Sequence, residues 1–397
     1  MLRKLSSTKF ALVVVVMFVG ASQITRGADQ TVYEMADGVV RPSALKGAEQ
    51  AYLPIIVNSS HASNLLPLPN GDLLCFWFAG TWEGRPGVSI AMSRLDHGSN
   101  RWTLPVILSN HPLWDDQNPV PFRAPDGRLW LFHTSQKANE GQTTAIMHYL
   151  TSSDQGHNWT PPMPLFTELG SYDRQPLVVF HGKWLFPTYL SASKGITTNA
   201  ENDRSIVKIS TDAGKTWSNC DVPESGGLVQ MNIVQLPEGH LLAFFRSRYA
   251  DWIYKSSSQD GCQWSAPSAT QLPNNNSSIQ VVGLNDGHLV VAFNNAQATT
   301  TRGEPRTAPR KILSVALSVD GGKTWPWVRD VQAGEEPPTF RLGEDPEYSY
   351  PSVTQTPNGM IQLAFTFRRE TIKYMTFHEQ WIKEGTTEGL FKGDPKQ

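Results

Sequence analysis

Cysteine is scarce in this chain, with three in 397 residues. So few cannot staple a fold of this size or build a thiolate metal centre. Cys75 lies in the apolar stretch DLLCFWF and reads as buried, which leaves Cys220 and Cys262 as candidates for a bridge. Charge is sparse as well: 34 Lys and Arg nearly balance 36 Asp and Glu. A nucleic-acid surface needs a basic excess, and none is present. The 10 histidines are not grouped at ligand spacing, so neither a metal nor a cofactor is expected. Phosphate-cradling loops, dinucleotide glycine patterns and G-x-S-x-G elbows are missing. No long stretch has helical periodicity.

Long apolar runs are also few. The one from Phe10 to Ala21 follows Arg3, Lys4 and Lys9. It is short for a bilayer span and suits a secretory signal. Residues 1–27 are therefore expected to be a signal peptide, leaving a secreted or periplasmic protein with no stable membrane insertion.

What the chain has in quantity is tryptophan (13), glycine (31) and proline (28). Some of them recur in order. Ser-x-Asp-x-Gly-x-x-Trp is complete at 152–159, 210–217 and 318–325, and imperfect at 93–102 and 258–264. The closing tryptophans are spaced by 47 to 61 residues. A second marker runs out of phase with the first: six turns centred on Gly71, Gly127, Gly182, Gly239, Gly287 and Gly359, each between short β-branched or aromatic segments. Glycine there supplies the positive φ of a tight hairpin. Six small sheets that cannot bury both faces alone must stack around an axis, which predicts a six-bladed β-propeller. It is expected over residues 50–385, after an extension at 28–49 and before a tail at 386–397. In the repeated turn, Ser and Asp can bond the turn's own amides while Trp covers the blade. That makes it a structural staple.

This turn is the Asp-box, or BNR repeat, and the whole chain resembles the sialidase-like propellers over about residues 50–385. The resemblance implies three arginines on a substrate carboxylate, a tyrosine nucleophile paired with a glutamate, and an aspartate as acid/base. Counting back nine residues from each turn glycine gives Ala62, Asn118, Asp173, Gln230, Ser278 and Tyr350. Counting forward seven gives Phe78, Thr134, Tyr189, Arg246, Asn294 and Thr366. These should surround one central pocket.

By the resemblance, Tyr350 takes the nucleophile's place, and Arg246 and Arg310 those of two arginines. Three positions depart from the pattern. His61 stands where the first arginine belongs, Gln230 where the glutamate belongs, and Gly87 where the acid belongs. Glu83, Asp173, Glu347 and His61 are the substitute proton-transfer groups. Asn118, Gln230 and Arg248 are added as substrate contacts. The loop AQATTTRGEPRTAP is expected over the pocket mouth. The expected activity is removal of a terminal, acidic sugar from a glycan. The alternatives are a carbohydrate-binding propeller without catalysis and a polysaccharide lyase acting beside a uronate.

Overall fold

The computed structural model describes residues 32–192, 197–333 and 347–385. The expected signal peptide and C-terminal tail lie outside the described residues. The strands form six antiparallel sheets, as the two interleaved markers predict. Among the described residues, no helix is long and apolar enough to cross a membrane.

Each blade is a meander. Blade four, for example, runs Leu228–Gln235, Leu241–Ser247, Trp252–Ser258 and Ser268–Pro273 from the axis outward. The second strand of a blade is covered on both faces, so it reads as an unbroken apolar run. Leu73–Gly80 and Ile361–Phe367 are buried at every residue. Neighbouring blades share their cores. Leu242 and Phe244 of blade four pack with Val291, Phe293 and Trp325 of blade five. No blade has a complete core of its own, so the ring holds together as one unit.

The Asp-boxes fasten these layers. In blade three, Ser210 Oγ donates to Asp212 Oδ1 at 2.8 Å and accepts from Gly214 N at 2.8 Å. Asp212 accepts from Thr216 N and Oγ1, and these bonds draw its carboxyl down to about 2. Trp217 Nε1 donates to Gly214 O at 3.0 Å. The turns ending at Trp159 and Trp264 repeat that indole bond, whereas the fully buried Trp325 Nε1 has no partner.

Blade six contains a strand from the other end of the chain. Ala48–Tyr52 pairs with Thr371–Phe377, register Ala48↔Phe377 through Tyr52↔Lys373. The boundary at residue 50 therefore falls inside a blade strand. A ring must be closed, and here hydrogen bonds close it. The segment AEQAY carries no strong strand signal, so this closure is not legible in the sequence. Cys220 and Cys262 form a disulfide joining blade three to the box of blade four, while Cys75 is free and buried.

Candidate active site

Four of the six inner strands begin with the same irregularity. Their pairing slips by a bulge between His61 and Asn64, Gln117 and Val120, Val229 and Asn232, and Ser349 and Ser352. Inside the bulges, Ala62, Asn118, Gln230 and Tyr350 adopt φ of 58°, 50°, 52° and 51°. Left-handed backbone is costly for residues with a Cβ and tends to mark functional positions. A bulge re-aims the side chain it carries. Blade three instead interrupts its inner strand between Tyr172 and Val178, and that of blade five starts only at Gln280.

Tyr350 stands among cations. Arg246 Nη1 donates to its hydroxyl at 2.6 Å. The guanidiniums of Arg310, Arg174 and Arg246 lie 5.3, 5.5 and 5.6 Å from its ring centre. Burial pushes the phenol up, but Arg246 and Arg310 outweigh it and leave its pKa below the ordinary value. Arg246 is held by Asn276 Oδ1 at 2.9 Å and Gln230 Oε1 at 3.3 Å. Arg174 Nη2 donates to the carbonyls of Ser63, Tyr350 and Pro351, which ties blade three to blades one and six. Among the described residues, two buried donors here face no acceptor: Arg174 Nη1 and Arg246 Nη2. An arginine N–H buried without a partner is costly, and an anionic ligand would satisfy it.

Glu347 anchors the far side. It pairs with Arg310 at 2.6 Å and with Arg369 at 2.8 Å, and Arg369 reaches Glu83 at 2.7 Å. Burial would raise the Glu347 carboxyl, yet Arg369 and Arg310 hold it well below its ordinary range. Arg369 belongs to a hairpin in which both it and Arg368 have positive φ. Neither Arg369 nor Arg174 was reached by sequence reasoning. The only sign was the doubled arginine in TFRRET, between two strands where Asn or Gly is usual.

His61 packs on Tyr350, ring centres 4.3 Å apart. Its Nδ1 lies 2.8 Å from Thr366 Oγ1, which already accepts from Ala62 N. The two share a hydrogen bond that holds the ring in place. Nε2 is buried and unpartnered. Burial, and then Arg369, lower the imidazole pKa well below normal, so the ring is neutral.

Two aspartates are buried beside the cup. Asp173 Oδ1 accepts from Thr134 Oγ1 at 2.7 Å, Oδ2 has no partner among the described residues, and burial lifts the carboxyl to about 7. Asp115, absent from the sequence candidates, begins the inner strand of blade two beside the Gly87 position: Gly87 N donates to Trp114 O, and Val88 bridges Asp115. Arg248 is buried in a pair with Asp203 at 2.8 Å, and Asn118 sits in its bulge. The loop before Arg310 lies across blades four and five, where Arg306 N donates to Arg248 O.

A family model described as "BNR repeat-like domain" matches residues 71–363. No curated protein matches the chain. Among solved structures, the NanB sialidase of Streptococcus pneumoniae is 14% identical with TM-score 0.66, covering 83% of this chain and 71% of that one. The leech intramolecular trans-sialidase is 14% identical with TM-score 0.64, over 83% and 69%. A protein of unknown function from Dyadobacter fermentans is 16% identical with TM-score 0.62, over 83% and 99%. At such identities the likeness is one of fold.

Proposed function

From the premise that the chain belongs to the BNR repeat-like domain family, we propose that it is an exported, sialidase-like glycoside hydrolase. It takes a terminal acidic sugar of a glycan, sialic acid or a relative, into the cup. The observation that carries this reading is the Arg246–Tyr350 contact of 2.6 Å beside two buried guanidinium donors that lack acceptors. A sugar carboxylate would supply those acceptors and match the planar fork of arginine.

Tyr350 attacks the anomeric carbon. Gln230 cannot take the phenol proton as a glutamate would. Here Arg246 and Arg310 stabilise the phenolate directly, which serves the same end. Glu347 keeps Arg310 and Arg369 in place, and His61 Nε2 forms a hydrogen bond with the sugar. Glu83 and Asp173 border the same cup. Tyr350→Phe should lower kcat/KM on fluorogenic sialosides or uronides by roughly a hundredfold or more. Unchanged turnover would remove Tyr350 from the reaction.

One observation favours a second reading. A cation-stabilised tyrosine without a carboxylate partner can also act as a base beside a neutralised uronate. Lyase chemistry would release an unsaturated product that absorbs in the ultraviolet. Binding on a glycan array with no product of either kind would select the non-catalytic alternative.

A further inference from the structure

The cup holds a carboxyl group whose surroundings suit a proton donor. Asp115 is fully buried. Its Oδ2 accepts three hydrogen bonds: from Gly84 N at 2.7 Å, from Gln136 Nε2 at 2.8 Å and from Gln117 Nε2. That fixes the group's orientation on a strand rather than on a loop. The other oxygen, Oδ1, is buried with no partner among the described residues. An ionised carboxylate oxygen in such a place costs more than a neutral, protonated one. The neighbour above it is Glu83, held by Arg369 at 2.7 Å. Glu83 immediately precedes Gly84, whose N–H is one of the three donors to Asp115, and Gly84 and Gly87 both have positive φ.

We propose that Asp115 is the general acid of the hydrolysis, resting on the hydrolase reading above, with Oδ1 as the oxygen that meets the leaving group. The carboxyl O–H gives its proton to the glycosidic oxygen as that oxygen's bond to the anomeric carbon breaks. The bonding pair stays with the oxygen, which leaves as an alcohol, and Tyr350 Oη, already ionised as the phenolate beside Arg246 and Arg310, takes the carbon. Water then attacks the same carbon, displaces Tyr350, leaves its hydroxyl on the sugar and returns a proton to Asp115. Burial, followed by the charge of Glu83, raises the Asp115 carboxyl to about 7, so it still holds its proton in mildly acidic solution. A fixed acid of this kind contributes on the order of 10²–10⁴-fold. Asp173, with its own unpartnered oxygen, is the internal comparison.

The test is leaving-group dependence in the full chain. An acid matters for an alcohol leaving group and little for a phenol that departs unaided. Asp115→Asn should lose about a hundredfold or more in kcat/KM on 3′-sialyllactose or the matching alkyl uronide. On the 4-methylumbelliferyl glycoside of the same sugar it should lose less than about tenfold. Asp173→Asn should lose equally on both. Equal losses for Asp115→Asn on the two substrates, or the leaving-group pattern in Asp173→Asn instead, would overturn the assignment while leaving the hydrolase reading intact. A wild-type chain that turns over no acidic glycoside would overturn the hydrolase reading first.

If Asp115→Asn melts out, Gln117→Ala gives a second readout. Loss of a donor to Oδ2 should move the alkaline limb of the wild-type pH profile upward on the alcohol glycoside, and an unmoved limb counts against Asp115.

Discussion

Tyr350 and Asp173 show how burial and charge divide the work at single residues. At Tyr350 the cations win over burial, and at Asp173 burial wins over its hydrogen bonds. For Asp173 the consequence extends to folding. Its carboxyl titrates near 7 in the fold and near 3.8 when unfolded. Between those values the native state binds more protons than the unfolded state. The stabilising contribution is full below about pH 4 and is lost as pH rises through 7, a swing of about 4 kcal/mol at most. Asp173→Asn should flatten this dependence, losing less unfolding free energy between pH 5 and pH 8 than the wild type in urea titrations. An identical pH slope in both chains would show that Asp173 is ionised in the fold. The positions of Tyr350, Gln230 and Asn118 were legible because they lie a fixed count from a turn glycine. Arg174, Arg369 and Asp115 follow no such count; their roles depend on which other blades they face, which one strand's sequence does not record.

At the scale of the element, the bulge and the box divide the blade between them. The bulge sets where a side chain meets the axis, and the box sets how a blade meets its neighbour. Gly261, in the box of blade four, has φ +81°, and an added Cβ would stand 2.5 Å from Leu185 Cδ1 in blade three. Gly261→Ala should cost about 2–4 kcal/mol from left-handed strain and overpacking together. Gly239→Ala has a similar φ and open space around it, so it should cost about 1 kcal/mol. Equal losses in the two variants would mean that the box does not brace the neighbouring blade. The boxes were readable from sequence since every part of the motif has a local task. The bulges were not, because Ala, Asn, Gln and Tyr share no preference for positive φ; the ring imposes that conformation on them.

The whole molecule is held by shared cores, one disulfide and a hydrogen-bonded seam. Cys220 and Cys262 are separated by 42 residues, and a loop of that length limits the unfolded chain by roughly 4 kcal/mol. Cys220→Ser should lower unfolding free energy by about 2–4 kcal/mol, and the difference from wild type should vanish under reductant. A variant as stable as the oxidised wild type would show that the bridge is not formed in solution. The blade number was legible from two interleaved markers; the strand that closes the ring was not, since pairing of AEQAY is decided by its partner, Thr371–Phe377.

That seam bears on the order in which the molecule must be made. Blade six lacks its fourth strand until Ala48–Tyr52 arrives, yet this strand leaves the ribosome before any complete blade of the ring and its partner strand leaves after the other five blades. The early segment must wait unpaired while those five blades are made, so cooperative closure follows emergence of the last blade, and nascent chains halted before residue 371 should expose a free sheet edge.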